Sequence, residues 1–268
     1  MSILHYWRAL WGIVWRECWR FITQRERFIS ALVRPLVWLF IFAAGFRSAL
    51  GLAISPPYET YILYEVYIVP GLCGMIQLFN GMQSSLSMVY DREMGSMRIL
   101  LTCPLPRWFL LLAKLLAGTA VSVLQVYVFL AIAWFYDIRP PLMGYAWVLP
   151  ALMLSGMMLG ALGLLLSSLI KQLENFAGVM NFVIFPMFFM STALYPLWKI
   201  KESSALLYRM ADINPFSQAV ELIRFALYGQ AHYHAFVYTF TAFIVFMALA
   251  ILGYNPSKGM MTRKGGAG

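Results

Sequence analysis

The chain has 268 residues, of which 62% are hydrophobic and only 12% charged, with a mean hydropathy of +0.73 and a formal net charge of +9. A soluble domain of this length needs roughly twice that charge to cover its surface, so a soluble globular fold is excluded. The positive charge does not point to nucleic acid either, because Lys and Arg fall mainly between the apolar stretches, as in proteins oriented by cytoplasmic cations.

Residues 3–22 form an amphipathic segment in which Trp7, Leu10, Trp11, Val14, Cys18 and Phe21 recur at helical spacing. Arg8, Gly12, Arg16 and Arg20 lie four apart on another side, with His5 beside them. A cationic face beside a Trp-rich face suits a helix lying in the headgroup layer; a helix packed on a soluble partner is the alternative. No apolar run follows directly on a short basic start, so a cleavable signal peptide is not expected and the first span must serve as the insertion signal.

Six apolar stretches follow, each near the roughly 20 residues that cross a bilayer core. Span one is expected over 31–54, with Pro35 in its first turn and Pro56–Pro57 marking a turn after it. Span two is expected over 59–88, broken by Pro70–Gly71, before a polar segment over 90–107. Span three is expected over 108–136, and a link containing Pro140–Pro141 leads to span four over 146–170. Gly156, Gly160 and Gly163 in span four are small residues that let helices approach closely. A short turn containing Lys171 precedes span five over 175–197, which contains Pro186. Residues 198–234 are mixed and include an amphipathic stretch over 215–228. Span six is expected over 235–254, followed by a polar tail. The fold class is therefore an all-α integral membrane protein: an interfacial helix (1–30), a six-span domain (31–254) with a short re-entrant or interfacial helix before the sixth span, and a tail (255–268).

Six spans put both termini on one side. Taken as cytoplasmic, that side carries fourteen Lys and Arg and the other side six, the bias that sets orientation. Cys18, Cys73 and Cys103 are odd in number, far apart and without a CxxC pair; they read as small apolar fillers rather than a disulfide framework or zinc site. His232 and His234 flank Tyr233, and two ligands alone make a poor metal site. The chain has no Gly-x-x-x-x-Gly-Lys-Ser/Thr loop, so ATP, if it drives this protein, must be bound by another polypeptide.

The polar segment reads Asp91-Arg92-Glu93-Met94-Gly95-Ser96-Met97-Arg98-Ile99-Leu100-Leu101-Thr102-Cys103-Pro104-Leu105-Pro106-Arg107 and runs on to Lys114-Leu115-Leu116-Ala117. This resembles a signature of the ABC-2 family of export permeases: an acidic-basic-Glu cluster, a Gly, Leu-Leu-x-Thr-x-Pro and an Arg before a Leu-rich stretch with one Lys. Met97-Arg98 departs from it, since many relatives have a Leu-Glu-like pair there, which leaves open the detailed ATPase contact. Asn214-Pro215-Phe216, Glu221, Arg224 and Gly229 resemble the family's second signature. The stretches 195–199 and 214–230 also look like a subgroup that accompanies quinoprotein alcohol oxidation.

The resemblance implies a half-transporter of the inner membrane, with two copies joined by two cassette ATPase subunits that hold ATP and Mg, and no cofactor on this chain. It implies ATPase coupling through Asp91, Arg92, Glu93, Gly95, Arg98, Leu101, Pro104 and Arg107, and a route lined by spans one, two and five. The apolar face of span five, with Phe182, Phe185, Met187, Phe188, Phe189 and Met190, is compatible with a lipophilic or amphipathic cargo. The alternatives are a membrane assembly protein or an intramembrane enzyme.

Two further features concern the outer half. Tyr58, Tyr61, Tyr64 and Tyr67 recur every third residue, as an interfacial aromatic belt or as an exit surface for cargo. Arg47 and Glu65 fall at matching depths in two consecutive antiparallel spans. A lone charge in hydrocarbon costs at least about 3 kcal/mol, so the two are expected to pair as part of an outer gate or to snorkel to water.

Overall fold

A computed structural model describes residues 3–23, 32–41, 56–58, 62–93, 105–170 and 172–254. These form α1 (Ile3–Thr23), α2 (Leu32–Ile41), α3 (Tyr64–Glu93), α4 (Arg107–Trp134), α5 (Leu142–Leu169), α6 (Leu173–Phe189), α7 (Leu197–Ser203), α8 (Ala205–Ile213), α9 (Pro215–Leu227) and α10 (Tyr233–Gly253). The fold is all-α. By length and composition α4, α5 and α10 can each cross a membrane, and α2 and α6 are shorter apolar helices.

α3 differs from its neighbours. Its 30 residues are long enough to span, yet they include Gln77, Asn80, Gln83, Ser84 and Ser85. The reason is its position: α3 packs against α4, α5, α6 and α9, and every residue from Tyr67 to Leu78 is buried. Gln77 and Ser85 are buried in protein, Asn80 and Ser84 half-buried and Gln83 exposed; polar groups persist in a bilayer where protein or a wet cavity faces them. The Gln77 amide donates to the Leu152 carbonyl at 2.7 Å and accepts from the Ser155 hydroxyl at 2.6 Å, while Asn80 donates to Gln125.

Glycines set the closest approaches. A Cβ on Gly81 would lie 2.9 Å from the Gly160 Cα, and one on Gly163 would lie 2.9 Å from the Gly81 carbonyl oxygen, so α3 and α5 cross backbone to backbone. α5 is the hub of the bundle, packed against α3, α4, α9 and α10. α10 stands at the edge and is mostly open on its outer side.

Several expectations change. Pro70 does not break span two: the helix runs through it from Tyr64 to Glu93. Span two also starts later and ends later than the apolar run, so the first residues of the polar segment are the last turn of α3. Span five stops at Phe189 rather than continuing to residue 197, because Ser191 to Pro196 turn back toward the bundle. The outer segment consists of three helices, α7, α8 and α9.

In α1 the exposed stripe is longer than expected. Trp7, Trp11, Trp15 and Trp19 are all exposed, and the last three stack with ring centroids 6.3 Å apart. Tyr6, Leu10, Ile13 and Val14 are half-buried, and α1 packs on α4, with Tyr6 edge-on to Phe109 at 5.0 Å. Leu10 and Val14 thus belong to the packed face rather than with the tryptophans.

Candidate coupling site and outer lock

The expected coupling residues begin at the end of α3. Asp91, Arg92 and Glu93 form its last turn. Glu93 is exposed, and its carboxylate accepts a hydrogen bond from the backbone N–H of Leu173 at 3.3 Å. Leu173 is the first residue of α6, where N–H groups lack helical partners and the helix dipole favours a negative charge. Arg107 opens α4 and is exposed, with Pro106 as its N-cap. Gly95, Arg98, Leu101 and Pro104 lie outside the described residues.

The other end of α3 enters a polar knot built on the turn after α6. Tyr64 is 1% exposed and donates to the Leu194 carbonyl at 3.0 Å; Tyr67 is 2% exposed and donates to the Thr192 carbonyl at 3.0 Å. These tyrosines are therefore neither an interfacial belt nor an exit surface. The turn leaves carbonyls without helical partners, and buried carbonyls require donors. Tyr58 precedes the helix and is buried against the rings of Tyr67 and Tyr228. Tyr61 lies outside the described residues.

The second signature closes the knot. Asn214 caps α9 by accepting from the Phe216 N–H at 2.9 Å, and Pro215 occupies the first helical position, where its missing N–H costs nothing. The Asn214 amide also donates to the carbonyls of Met187 and Met190, each at 2.8 Å, tying the end of α6 to the start of α9. Gly229, at φ 70°, ends α9 in the left-handed conformation that a residue with Cβ resists.

Arg224 is 2% exposed. It pairs with Glu221 one turn earlier, donates to the Thr192 carbonyl at 2.7 Å and lies 4.1 Å from the Tyr67 ring centroid. Burial works to lower its pKa, but the Glu221 carboxylate together with Tyr67 and Tyr58 outweighs burial and the net direction is up, so the guanidinium stays charged. Thr192 is held twice more, by Ser217 Oγ accepting from its N–H and by its hydroxyl donating to the Ser217 carbonyl, both at 3.3 Å.

The expected route residues divide. Phe182, Phe185 and Phe189 are exposed on α6, as an outward-facing surface. Glu65 stands in the first turn of α3 and is half-buried. It is thus at the helix end rather than six residues inside it, where the N-terminal dipole favours a carboxylate. Arg47 lies outside the described residues. Sequence reasoning missed Thr192, Ser217 and Leu173, whose contributions are largely backbone groups with no residue signature.

α3 is tied to the start of α6 through Glu93 and to the turn after α6 through Tyr64 and Tyr67.

A profile of the ABC-2 type transporter family matches residues 8–228. The chain is 27% identical over 215 residues to "Putative transport permease ycf38" of Porphyra purpurea, across 78% of this chain and 69% of that protein. It is 28% identical over 210 residues to the protein of the same name in Cyanophora paradoxa, across 76% and 70%. It is 30% identical over 171 residues to "Probable multidrug ABC transporter permease YbhR" of Escherichia coli (strain K12), across 62% of this chain and 45% of that protein. The matched region holds the first motif, the second from Asn214 to Arg224, most of α1 and the knot around Arg224, and the chain belongs to the ABC-2 type transporter family as a multi-pass membrane permease.

Proposed function

We propose that this chain is the membrane half of an ATP-driven exporter of the inner membrane, with both termini cytoplasmic. Two copies work with two separate cassette ATPase subunits, which hold the ATP and Mg. The single observation that supports coupling is α3, one continuous helix bonded to the start of α6 at Glu93 and to the turn after α6 at Tyr64 and Tyr67. An ATPase that pushes the segment over 89–107 would move both helices together and strain the outer knot. The cargo is lipophilic or amphipathic, a reading supported by the exposed Phe182, Phe185 and Phe189 on α6 and by the multidrug description of one relative.

The test is reconstitution. The chain is co-expressed with a cassette ATPase from the same genome, and ATP-dependent uptake of the fluorescent amphiphile 11-dansylaminoundecanoic acid into inside-out vesicles is followed. Uptake that requires both subunits and intact ATP hydrolysis is expected. Failure of the two subunits to co-purify, or uptake indifferent to ATP, would reject the reading.

A further inference from the structure

Arg34 occupies an unusual position for a charge. It lies in α2, exposed on the outside of the chain, with its guanidinium carbon 3.9 Å from the Phe79 ring centroid. Among the described residues it makes no ion pair or hydrogen bond. Phe79 is midway along α3, roughly 21 Å from either end at 1.5 Å per residue. The neighbouring Gly81 touches Gly160 of α5, itself roughly 14 Å from the cytoplasmic end of a membrane-spanning helix. With a core of about 30 Å centred on that helix of 28 residues, the arginine sits roughly 8 Å inside the hydrocarbon rather than among the head groups.

A cation there costs at least about 3 kcal/mol unless an anion or water faces it. The ring beneath it repays part of that, since cation–π contacts strengthen when desolvated. A second copy of the chain does not supply the countercharge from its described spans. Glu65 is in the first turn of α3, Asp91 and Glu93 in its last, and Glu174 in the first turn of α6. None is at mid-depth. The surroundings are amphipathic: Gln83 one turn further along α3 and Val37 one turn along α2 are exposed, and Trp38 leads through Phe189 to the exposed face of α6.

We propose that Arg34 and Phe79 form a binding site for the anionic head group of a single-chain amphiphile, whose tail lies along the aromatic face of α6. This rests on the exporter reading and narrows its cargo class to molecules bearing a carboxylate, phosphate or sulfonate.

The test uses the full chain in phosphatidylcholine nanodiscs and the fluorescent carboxylate 11-dansylaminoundecanoic acid. Dodecyl phosphate should displace the probe; dodecyltrimethylammonium and inorganic phosphate should not. Arg34→Gln should weaken probe binding at least about tenfold, the scale of one charge-assisted contact, and Arg34→Lys should retain most of it. Equal affinity in wild type and Arg34→Gln, or equal displacement by the cationic amphiphile, overturns the site. Should Arg34→Gln fail to fold, the phosphate-against-ammonium comparison on wild type and Arg34→Lys decides alone. Binding that depends on Arg34 without ATP-driven transport would sink the exporter reading and leave the site. ATP-driven export of dodecyl phosphate that is unchanged in Arg34→Gln would do the reverse.

Discussion

The Glu93 carboxylate at the end of α3 accepts the Leu173 backbone N–H at the start of α6, 3.3 Å away and eighty residues further along the chain. The bond is exposed, so its direct contribution to stability is small, about 0.5 kcal/mol for a carboxylate at a helix N-terminus. Its value is mechanical. Glu93→Ala should leave folded yield in the membrane unchanged and lower cargo-stimulated hydrolysis by the partner ATPase several-fold. Glu93→Ala with Arg98→Ala should uncouple more fully. Unchanged stimulation and export in the double variant would remove the coupling role.

Arg224 and Glu221 form a pair whose separate loss should cost more than its joint loss. Removing one member of a buried ion pair leaves an unpaired charge and costs about 3–5 kcal/mol. Arg224→Met should fall in that range, because the Thr192 carbonyl also loses one of its two donors and keeps only the Tyr67 hydroxyl. Glu221→Gln should fall in the same range, since it leaves the Arg224 guanidinium, 2% exposed, without its carboxylate. Reversible unfolding in mixed micelles, read as a double-mutant cycle, should give a coupling energy above about 1 kcal/mol. Simple additivity would show that the pair contributes little to the knot.

Glycine positions offer an internally controlled comparison. Gly81→Ala should destabilise by about 1–3 kcal/mol, because the new methyl meets the α5 backbone rather than a movable side chain. Gly229→Ala has open space around it but requires φ near +70°, and should cost about 1–2 kcal/mol. Gly12→Ala and Gly178→Ala meet nothing within 4 Å and lie in helices; each should be neutral or stabilising by up to about 1 kcal/mol. Thermal melts of the four variants in one detergent check the order.

The tryptophan stripe of α1 should lie against acyl chains. A nitroxide at position 11 should relax with oxygen, and one at position 16 with a water-soluble nickel chelate. Similar water exposure at both positions would place α1 away from the bilayer surface.

What the sequence determined by itself is what is encoded locally. Apolar runs located α4, α5 and α10 to within a few residues, because hydrocarbon thickness sets their length. Asn214-Pro215 and Gly229 marked the two ends of α9, because capping chemistry is read within one turn. Tertiary structure decided the meaning of the polar residues. Nothing in the spacing of Tyr64 and Tyr67 shows that their hydroxyls reach Leu194 and Thr192, 130 and 125 residues away. Nothing in the sequence around Arg34 shows that packing lays it over Phe79 in the middle of α3. A buried donor or cation takes whichever acceptor or ring the fold brings to it, often a backbone carbonyl or an aromatic face with no signature in the one-dimensional pattern.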